Sequence, residues 1–551
     1  MTNCHLRKHT PDPTVLIRIL TLTFLLTNTT VTAEPDYLKV VTAYADALLT
    51  HGRDTYGLVR SPLIATTLDR YTYERLDEDD PPQIPGVRDR ERMIGGANPM
   101  HDQGLYQILY ALSTLTGDDR YGLEADLTLG WFLENCAHPE TGLYAWGEHM
   151  GWHFDEERRI HKIAGTLHEF YRPWVLWDVC YILEPKSAFR FARGLWENQI
   201  GNHDTGNFSK HALYDQHGPT VNGDEPRHAG YFLSTWATAF QQTLDERYLQ
   251  DLTMGTWSIV FAERRNRSLD HAMKRVIAFI ESKRSPESGA IRADSATPKK
   301  TEPWRGRLVF PIDNLSLAVD LGWSAGIVEP ILASKMRLTA ARTDSAFLKM
   351  DHQPDGKGFL VGAHLYNLEP HGAEEAQRSR LWLDRAIENP FRDYGTFVIR
   401  SHAGVANLCY ERFQQTEKRG YHDLVIKTAR QYLEAEPQIS AVGSPGLSDW
   451  LMEILTGTED PVYPRMMGQA IKLMLNAYDL SGDRRYLERA DYFAQWSIRT
   501  FLGDASLPRA THRHDHYEAV TGGDALMLAL LELWAVREGK RDELELVWMD
   551  R

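Results

Sequence analysis

The sequence predicts an all-α protein, a closed ring of helical hairpins. Three observations point there: apolar residues recur at helical spacing, alternating strand-like runs are few, and the breaks between helical runs share a short phrase. The first clear run carries Leu105, Ile108, Leu109 and Leu112 and ends at Thr116-Gly117-Asp118-Asp119-Arg120-Tyr121. A second carries Leu176, Val179 and Cys180, a later one Ile471, Leu475 and Tyr478, and the last Leu526, Leu528, Leu530 and Leu531. Ser481-Gly482-Asp483-Arg484-Arg485-Tyr486 repeats the phrase, and looser versions end at Tyr248 and Tyr421. Each reads as a hairpin turn: Gly closes one helix in the left-handed conformation, Asp opens the next, and Tyr packs on it. Copies at irregular intervals argue against a regular solenoid and for a closed ring with inner and outer helices. A small β addition is expected around Gly289 to Asp313.

With 551 residues, 42% hydrophobic and 25% charged, the chain has ample material for a core and is not of disordered composition. The net charge of -15 repels nucleic acid and anionic membranes at long range, so neither is an expected partner. Local cations or a metal ion could still admit an anionic sugar. Residues 1–33 read as an export signal: Arg7 and Lys8 are basic, Val15 to Leu26 is largely apolar, and Val31-Thr32-Ala33 offers a small-residue cleavage pattern. Arg18 interrupts the apolar run. A mature domain from residue 34 to 551, secreted or periplasmic, is the expectation, and no later segment is apolar for long enough to span a bilayer. Cys4 leaves with the signal; Cys136, Cys180 and Cys409 are an odd, scattered set that implies buried thiols.

Long loop-like stretches at Glu74 to Arg90, Gly201 to Arg227 and Lys283 to Trp304 are candidates for binding. Trp146-Gly147-Glu148-His149 sits in a Gly-rich link, Leu167-His168-Glu169-Phe170 is expected to open a helix containing Trp174 and Trp177, and Lys210-His211 lies in a long loop ahead of Glu225-Pro226-Arg227-His228. Two imidazoles and a carboxylate from three segments suit a divalent cation such as Mn, Zn or Fe(II). With 22 histidines in the chain, spacing alone is a weak signal. His512, His514 and His516 could share one face of a strand, but a polar loop is the plainer reading.

The order Arg53-Asp54-Tyr56-Gly57, Ser61-Pro62-Leu63, Met100-His101-Asp102-Gln103, Thr116-Gly117-Asp118, Gly142-Leu143, Trp146-Gly147-His149, His168-Glu169 and Lys210-His211 resembles the pectate lyases of polysaccharide lyase family two. The resemblance covers roughly residues 40 to 240. It implies an (α/α) toroid, cleavage of homogalacturonan by β-elimination and a preference for manganese. Carried residue by residue, it implies His149, Glu169 and His211 as ligands of a divalent metal, Mn(II) above others. The family's Brønsted base is an Arg just before the second His; here that position is Lys210. Lysine loses its proton more readily than guanidinium, so the exchange is chemically tolerable, though it leaves the substrate open. Arg227 is the rival base and a candidate carboxylate clamp. Arg172, Trp146, His101 and Tyr517 are the candidate substrate contacts.

The implied reaction acts on a uronate-containing polysaccharide. Its C5 proton becomes removable when cationic groups neutralise the C6 carboxylate. Two other classes remain. An (α/α)-toroid glycoside hydrolase, such as an unsaturated-uronyl hydrolase, would need paired acids, with Asp102, Asp178, Asp204 and Asp224 as candidates. A non-catalytic glycan-binding protein would use the aromatic supply of 15 Trp and 24 Tyr.

Overall fold

Helices form where the apolar spacing places them, and the hairpin phrase makes the turns between them. The computed structural model describes residues 35–84, 87, 91–161, 167–170, 172–218, 223–243, 256–293, 307–353, 359–360, 362–370, 401–437 and 462–550. The chain divides into two units, Met1–Asp36 and Tyr37–Arg551. The expected export signal and the turn at Tyr248 lie outside the described residues.

The larger unit opens with helix α1 (Tyr37–His51), strand β1 (Thr67–Asp69) and strand β2 (Gly96–Ala97). The first hairpin is α2 (Gln103–Thr116) and α3 (Arg120–Asn135). Its turn is the predicted one: Gly117 is left-handed at φ 72° with its N–H on Ser113 O at 3.0 Å, and Asp118 Oδ1 accepts from Arg120 N at 3.0 Å. Buried Tyr121 then docks α3 and donates to Asp46 Oδ1 at 3.0 Å. Along α3 the buried residues Tyr121, Ala125, Thr128, Leu129, Phe132 and Leu133 form a single stripe, the pattern of a helix that packs on one side only.

Strands β3 (Met150–His153), β4 (Arg158–His161) and β5 (Leu167–His168) precede the short α4 (Trp177–Leu183) and α5 (Pro185–Gln199). Strands β6 (Ile200–Asn202), β7 (Asn207–Phe208) and β8 (Ala212–Leu213) follow, then α6 (Pro226–Thr243) and α7 (Thr256–Ser282). After β9 (Leu308–Val309) come α8 (Pro311–Ser324), α9 (Pro330–Phe347), β10 (Ala363–His364), α10 (His402–Thr416) and α11 (Arg419–Glu434). The last turn of the circuit is α12 (Pro464–Ser481), α13 (Arg484–Ser497), β11 (His516–Glu518) and α14 (Gly523–Glu538). Gly482 at φ 67° and the Asp483 side chain, which accepts from Arg485 N, repeat the first hairpin's turn between α12 and α13.

The ring closes through its inner helices. Helix α6 packs on α8, α8 on α10, α10 on α12, α12 on α14, and α14 returns to α2; α4 lies against α6, and Val175, just ahead of α4, donates its N–H to Gln103 Oε1 at the start of α2 at 3.0 Å. The helices α1, α3, α7, α9, α11 and α13 pack outside them. Inner α6 and α12 are buried almost all round, as a helix surrounded by others must be. Their N-termini share one rim, since neighbouring starts touch: Gly104 N donates to Asp524 Oδ2 at 3.0 Å, Arg227 lies 3.2 Å from Asp313, and Ser401 Oγ donates to Gln469 Oε1 at 2.5 Å.

Among the described residues all the strand pairs are short and antiparallel: β2–β3–β4, β5–β8, β6–β7, β9–β10 and β1–β11. The β addition expected around Gly289 to Asp313 is present as β9, paired with β10. The more consequential pairing, β5 with β8, was not foreseen from the sequence. No helix among the described residues is long and apolar enough to cross a membrane.

Candidate metal centre

Backbone pairing brings the site together. In the β5–β8 ladder Leu167 faces Leu213 and His168 faces Ala212, so the next step of the register sets Glu169 opposite His211. On the other side of Glu169, Gly147 forms a parallel bridge with it and Glu148 N donates to Glu169 O at 3.2 Å. Only glycine permits that approach: Gly147 has φ 98°, and a Cβ there would fall 1.9 Å from Glu169 O. His149, two residues on, thereby reaches the Glu169 carboxylate. The helix expected to open at Leu167 is corrected to a strand, and α4 begins only at Trp177. Pro173 disfavours helical backbone at Arg172, so a helix opened at Leu167 is not expected to run through that point.

His149, Glu169 and His211 each offer one ligand atom, and these atoms all lie within 4.8 Å of one another; among the described residues no other such group of three exists. His211 Nε2 is 2.6 Å and His149 Nε2 3.3 Å from Glu169 Oε2. Glu169 Oε1 faces the opposite way, 3.2 Å from Lys210 Nζ and 3.4 Å from His228 Nε2. Glu169 is buried, whereas the His211 and Lys210 side chains keep 23% and 22% exposure and form the open side. Mixed imidazole and carboxylate donors around one small space fit a divalent cation.

Burial pushes the Glu169 carboxyl up, but the Lys210 ammonium and hydrogen bonds from His149, His211 and His228 outweigh it and hold Glu169 well below the usual range. Glu148, with Oε1 3.4 Å from His149 Nε2, is pushed up to about 7 by burial and by the neighbouring Glu169 charge. Burial acts to lower the Lys210 pKa, yet Glu169 and then Glu225 prevail and keep the amine above its ordinary value. Arg227 is also held upward: Asp313 and Glu225 outweigh its burial. It is a cation fixed on Asp313, which argues against a base role.

The other predicted residues lie deeper. His101 is buried, with Nε2 3.4 Å from Asn98 Nδ2, and Asn98 donates in turn to Gly147 O at 2.7 Å. Arg172 is buried at the inner-helix rim, 3.8 Å from Asp550 rather than on Glu169. Tyr517 is buried on β11 with its hydroxyl 3.2 Å from that of Tyr44. Trp146 is fully buried among Phe132, Tyr144, Trp174, Trp177 and Phe191, and its Nε1 donates to His168 Nε2 at 3.3 Å. The expectation of a substrate contact at Trp146 is therefore corrected: the indole is core. Trp146→Ala is expected to cost about 3–5 kcal/mol. A fall in the urea midpoint at unchanged m would show it.

His512, His514 and His516 each have a separate partner: Val462 N, Thr511 Oγ1 and Glu518. Of the acids considered for hydrolysis, Asp178 accepts from Gln242 at 2.9 Å, Asp224 pairs with Lys283 at 3.1 Å, and Asp204 is exposed in the β6–β7 turn. Asp102 is buried beside Asp524, and burial followed by that neighbour raises its carboxyl well above the usual range. Three site residues were missed: Glu148, Glu225 and His228. Each stands in a sequence run already singled out, and adjacency to His149 and Arg227 was the available signal.

The periplasmic pectate lyase family matches residues 84–243, a segment that carries His149, Glu169, Lys210, His211 and Arg227. The resemblance read from the sequence thus holds over that stretch. Among solved structures the chain is similar to a D-mannose isomerase at 7% identity over 92% of this chain and 99% of that one, with TM-score 0.45. Similar too are the cellobiose 2-epimerase of Bacillus thermoamylovorans (10%; 90% and 99%; TM-score 0.41) and the unsaturated glucuronyl hydrolase of Bacillus sp. GL1 (12%; 92% and 96%; TM-score 0.40). The closed ring itself stands on the helix contacts within this chain.

Proposed function

We propose that this chain is a polysaccharide-processing enzyme of the lyase class, cleaving a uronate-containing polymer of pectate type by metal-assisted β-elimination. The observation that carries the reading is the convergence of His149, Glu169 and His211 with Lys210 on the far oxygen of the same carboxylate, inside the segment that matches pectate lyases. Residues 1–33 would serve as an export signal and residues 34–551 as the catalytic domain, placing the enzyme in the periplasm or outside the cell.

His149, Glu169 and His211 would hold a divalent cation, with Mn(II) the first choice from the family resemblance. Bound there, it supplies positive charge for the substrate carboxylate and for the negative charge that proton removal creates. Lys210 Nζ takes the C5 proton. The electron pair left at C5 becomes the C4–C5 double bond, and the C4 oxygen departs with its bonding pair and takes a proton from solvent water. Lys210 must be a free amine to begin, and the pull that keeps it protonated comes chiefly from Glu169 and Glu225. Neutralising Glu169 therefore favours the base form. Arg227, anchored on Asp313, adds fixed positive charge nearby without exchanging protons.

A hydrolytic reading has one observation in its favour, the buried Asp102–Asp524 pair, whose second member burial pushes up to about 6. One assay separates the two. Polygalacturonate and other uronate polymers are offered with manganese and with chelator, while ultraviolet absorbance and new reducing ends are followed. A chelator-sensitive rise in absorbance, from the conjugated unsaturated uronate, is expected. New reducing ends without absorbance would move the enzyme to the hydrolases.

A further inference from the structure

The base lysine, between β7 and β8, is gripped by a segment further along the chain. Lys210 N donates to Gly223 O at 2.5 Å, and its aliphatic stem lies across that glycine. A Cβ at Gly223 would fall 2.7–2.9 Å from Lys210 Cγ, Cδ and Cε, and φ there is 82°. Two residues on, Glu225 Oε1 reaches Lys210 Nζ at 3.5 Å while Glu225 Oε2 lies 3.6 Å from His228 Nδ1. His228 Nε2 returns to Glu169 Oε1 at 3.4 Å. The intervening Asp224 is clamped in the interior: Lys283 Nζ, at the end of α7, donates to Asp224 O at 2.5 Å and lies 3.1 Å from Asp224 Oδ2, both side chains being at most 4% exposed.

We propose that Gly223-Asp224-Glu225 is a strap that aims the base, with Glu225 as a positioning residue that holds the Lys210 amine against Glu169 and the buried Lys283–Asp224 pair as its anchor. The inference rests on Lys210 being the base. Its physical reason is the side chain itself. A guanidinium is a planar fork, preorganised for two contacts at once, whereas lysine is a point charge on a flexible four-carbon stem. A lysine in this place needs its stem confined and its head held from a second direction. Gly223 does the first and Glu225 the second. His228 joins Glu225 to Glu169, so the holder and the metal-ligating carboxylate keep a constant spacing. A displacement of about 1 Å at such a base can cost on the order of a hundredfold in rate.

The test uses the full-length protein and the variants Glu225→Gln and Gly223→Ala. Three quantities are followed: kcat and KM on uronate polymer, Mn(II) binding by electron paramagnetic resonance, and trace acetylation of Lys210 read by peptide mass spectrometry. Glu225→Gln is expected to lower kcat by about 10–100-fold, the scale of loss when a reacting group is displaced by up to about 1 Å, with KM within about twofold and Mn(II) affinity unchanged. Lys210 should be acetylated several-fold faster once released. Gly223→Ala should give the same signature by displacing the stem. An unchanged kcat together with unchanged Lys210 labelling in both variants would overturn the strap. If the wild-type protein forms no unsaturated product from any uronate polymer, the lyase reading falls separately. The labelling contrast still decides whether Glu225 and Gly223 hold Lys210: faster labelling supports the strap, and unchanged labelling refutes it.

Discussion

Lys210→Ala is expected to keep the divalent cation and lose turnover by roughly a thousandfold, within the range a positioned general base contributes. The variant removes the Lys210 amine from Glu169 Oε1 and leaves untouched Glu169 Oε2, the oxygen between the two imidazoles. Manganese binding and rate are thus predicted to separate. Titration calorimetry with Mn(II) should give wild-type affinity, while the ultraviolet assay stays nearly flat. Arg227→Ala should behave differently. Its guanidinium is committed to Asp313, so its loss leaves a buried carboxylate without its cation and lowers stability before it touches chemistry. If Arg227→Ala kept its fold and lost all turnover while Lys210→Ala stayed active, the base assignment would be wrong.

His211→Ala should do the reverse, losing metal and activity together. It removes the closest imidazole to Glu169, at 2.6 Å, and takes the protein donors from three to two. Affinity should fall by more than the 10–100-fold, approximately, that changes outside the first coordination sphere cost. The fold should survive, because the His211 side chain keeps 23% exposure at the edge of β8. Circular dichroism and the melting temperature check that point. A variant that stayed metal-replete and active would refute the ligand role.

Much of the fold was legible because helix periodicity is local. The run Leu105, Ile108, Leu109 and Leu112 is visible in the sequence and lies on the buried side of α2. The hairpin phrase was legible for the same reason: Gly117 and Gly482 end their helices, and Tyr121, Tyr421 and Tyr486 are buried where the next helix docks. The site was legible only in part. Family resemblance, not spacing, selected His149, Glu169 and His211 from 22 histidines and 76 acids. Trp146 misled because burial is a tertiary property, and an indole that stacks on sugar has the same residue type as one stacked on Phe132. Glu169 was placed on a helix because a two-residue strand such as β5 is too short to show alternation.

By itself the sequence determined the helices, the turns that reverse them and the chemical character of the donors, since each depends on residues within a turn or two of one another. Tertiary structure alone decided which donors meet. The β5–β8 register sets Glu169 opposite His211, the Gly147 bridge delivers His149, and the Lys283–Asp224 clamp brings Glu225 to Lys210. Those contacts join residues far apart in the chain. No local periodicity encodes them, and they come into being only when the ring closes and the backbone at its rim satisfies its hydrogen bonds.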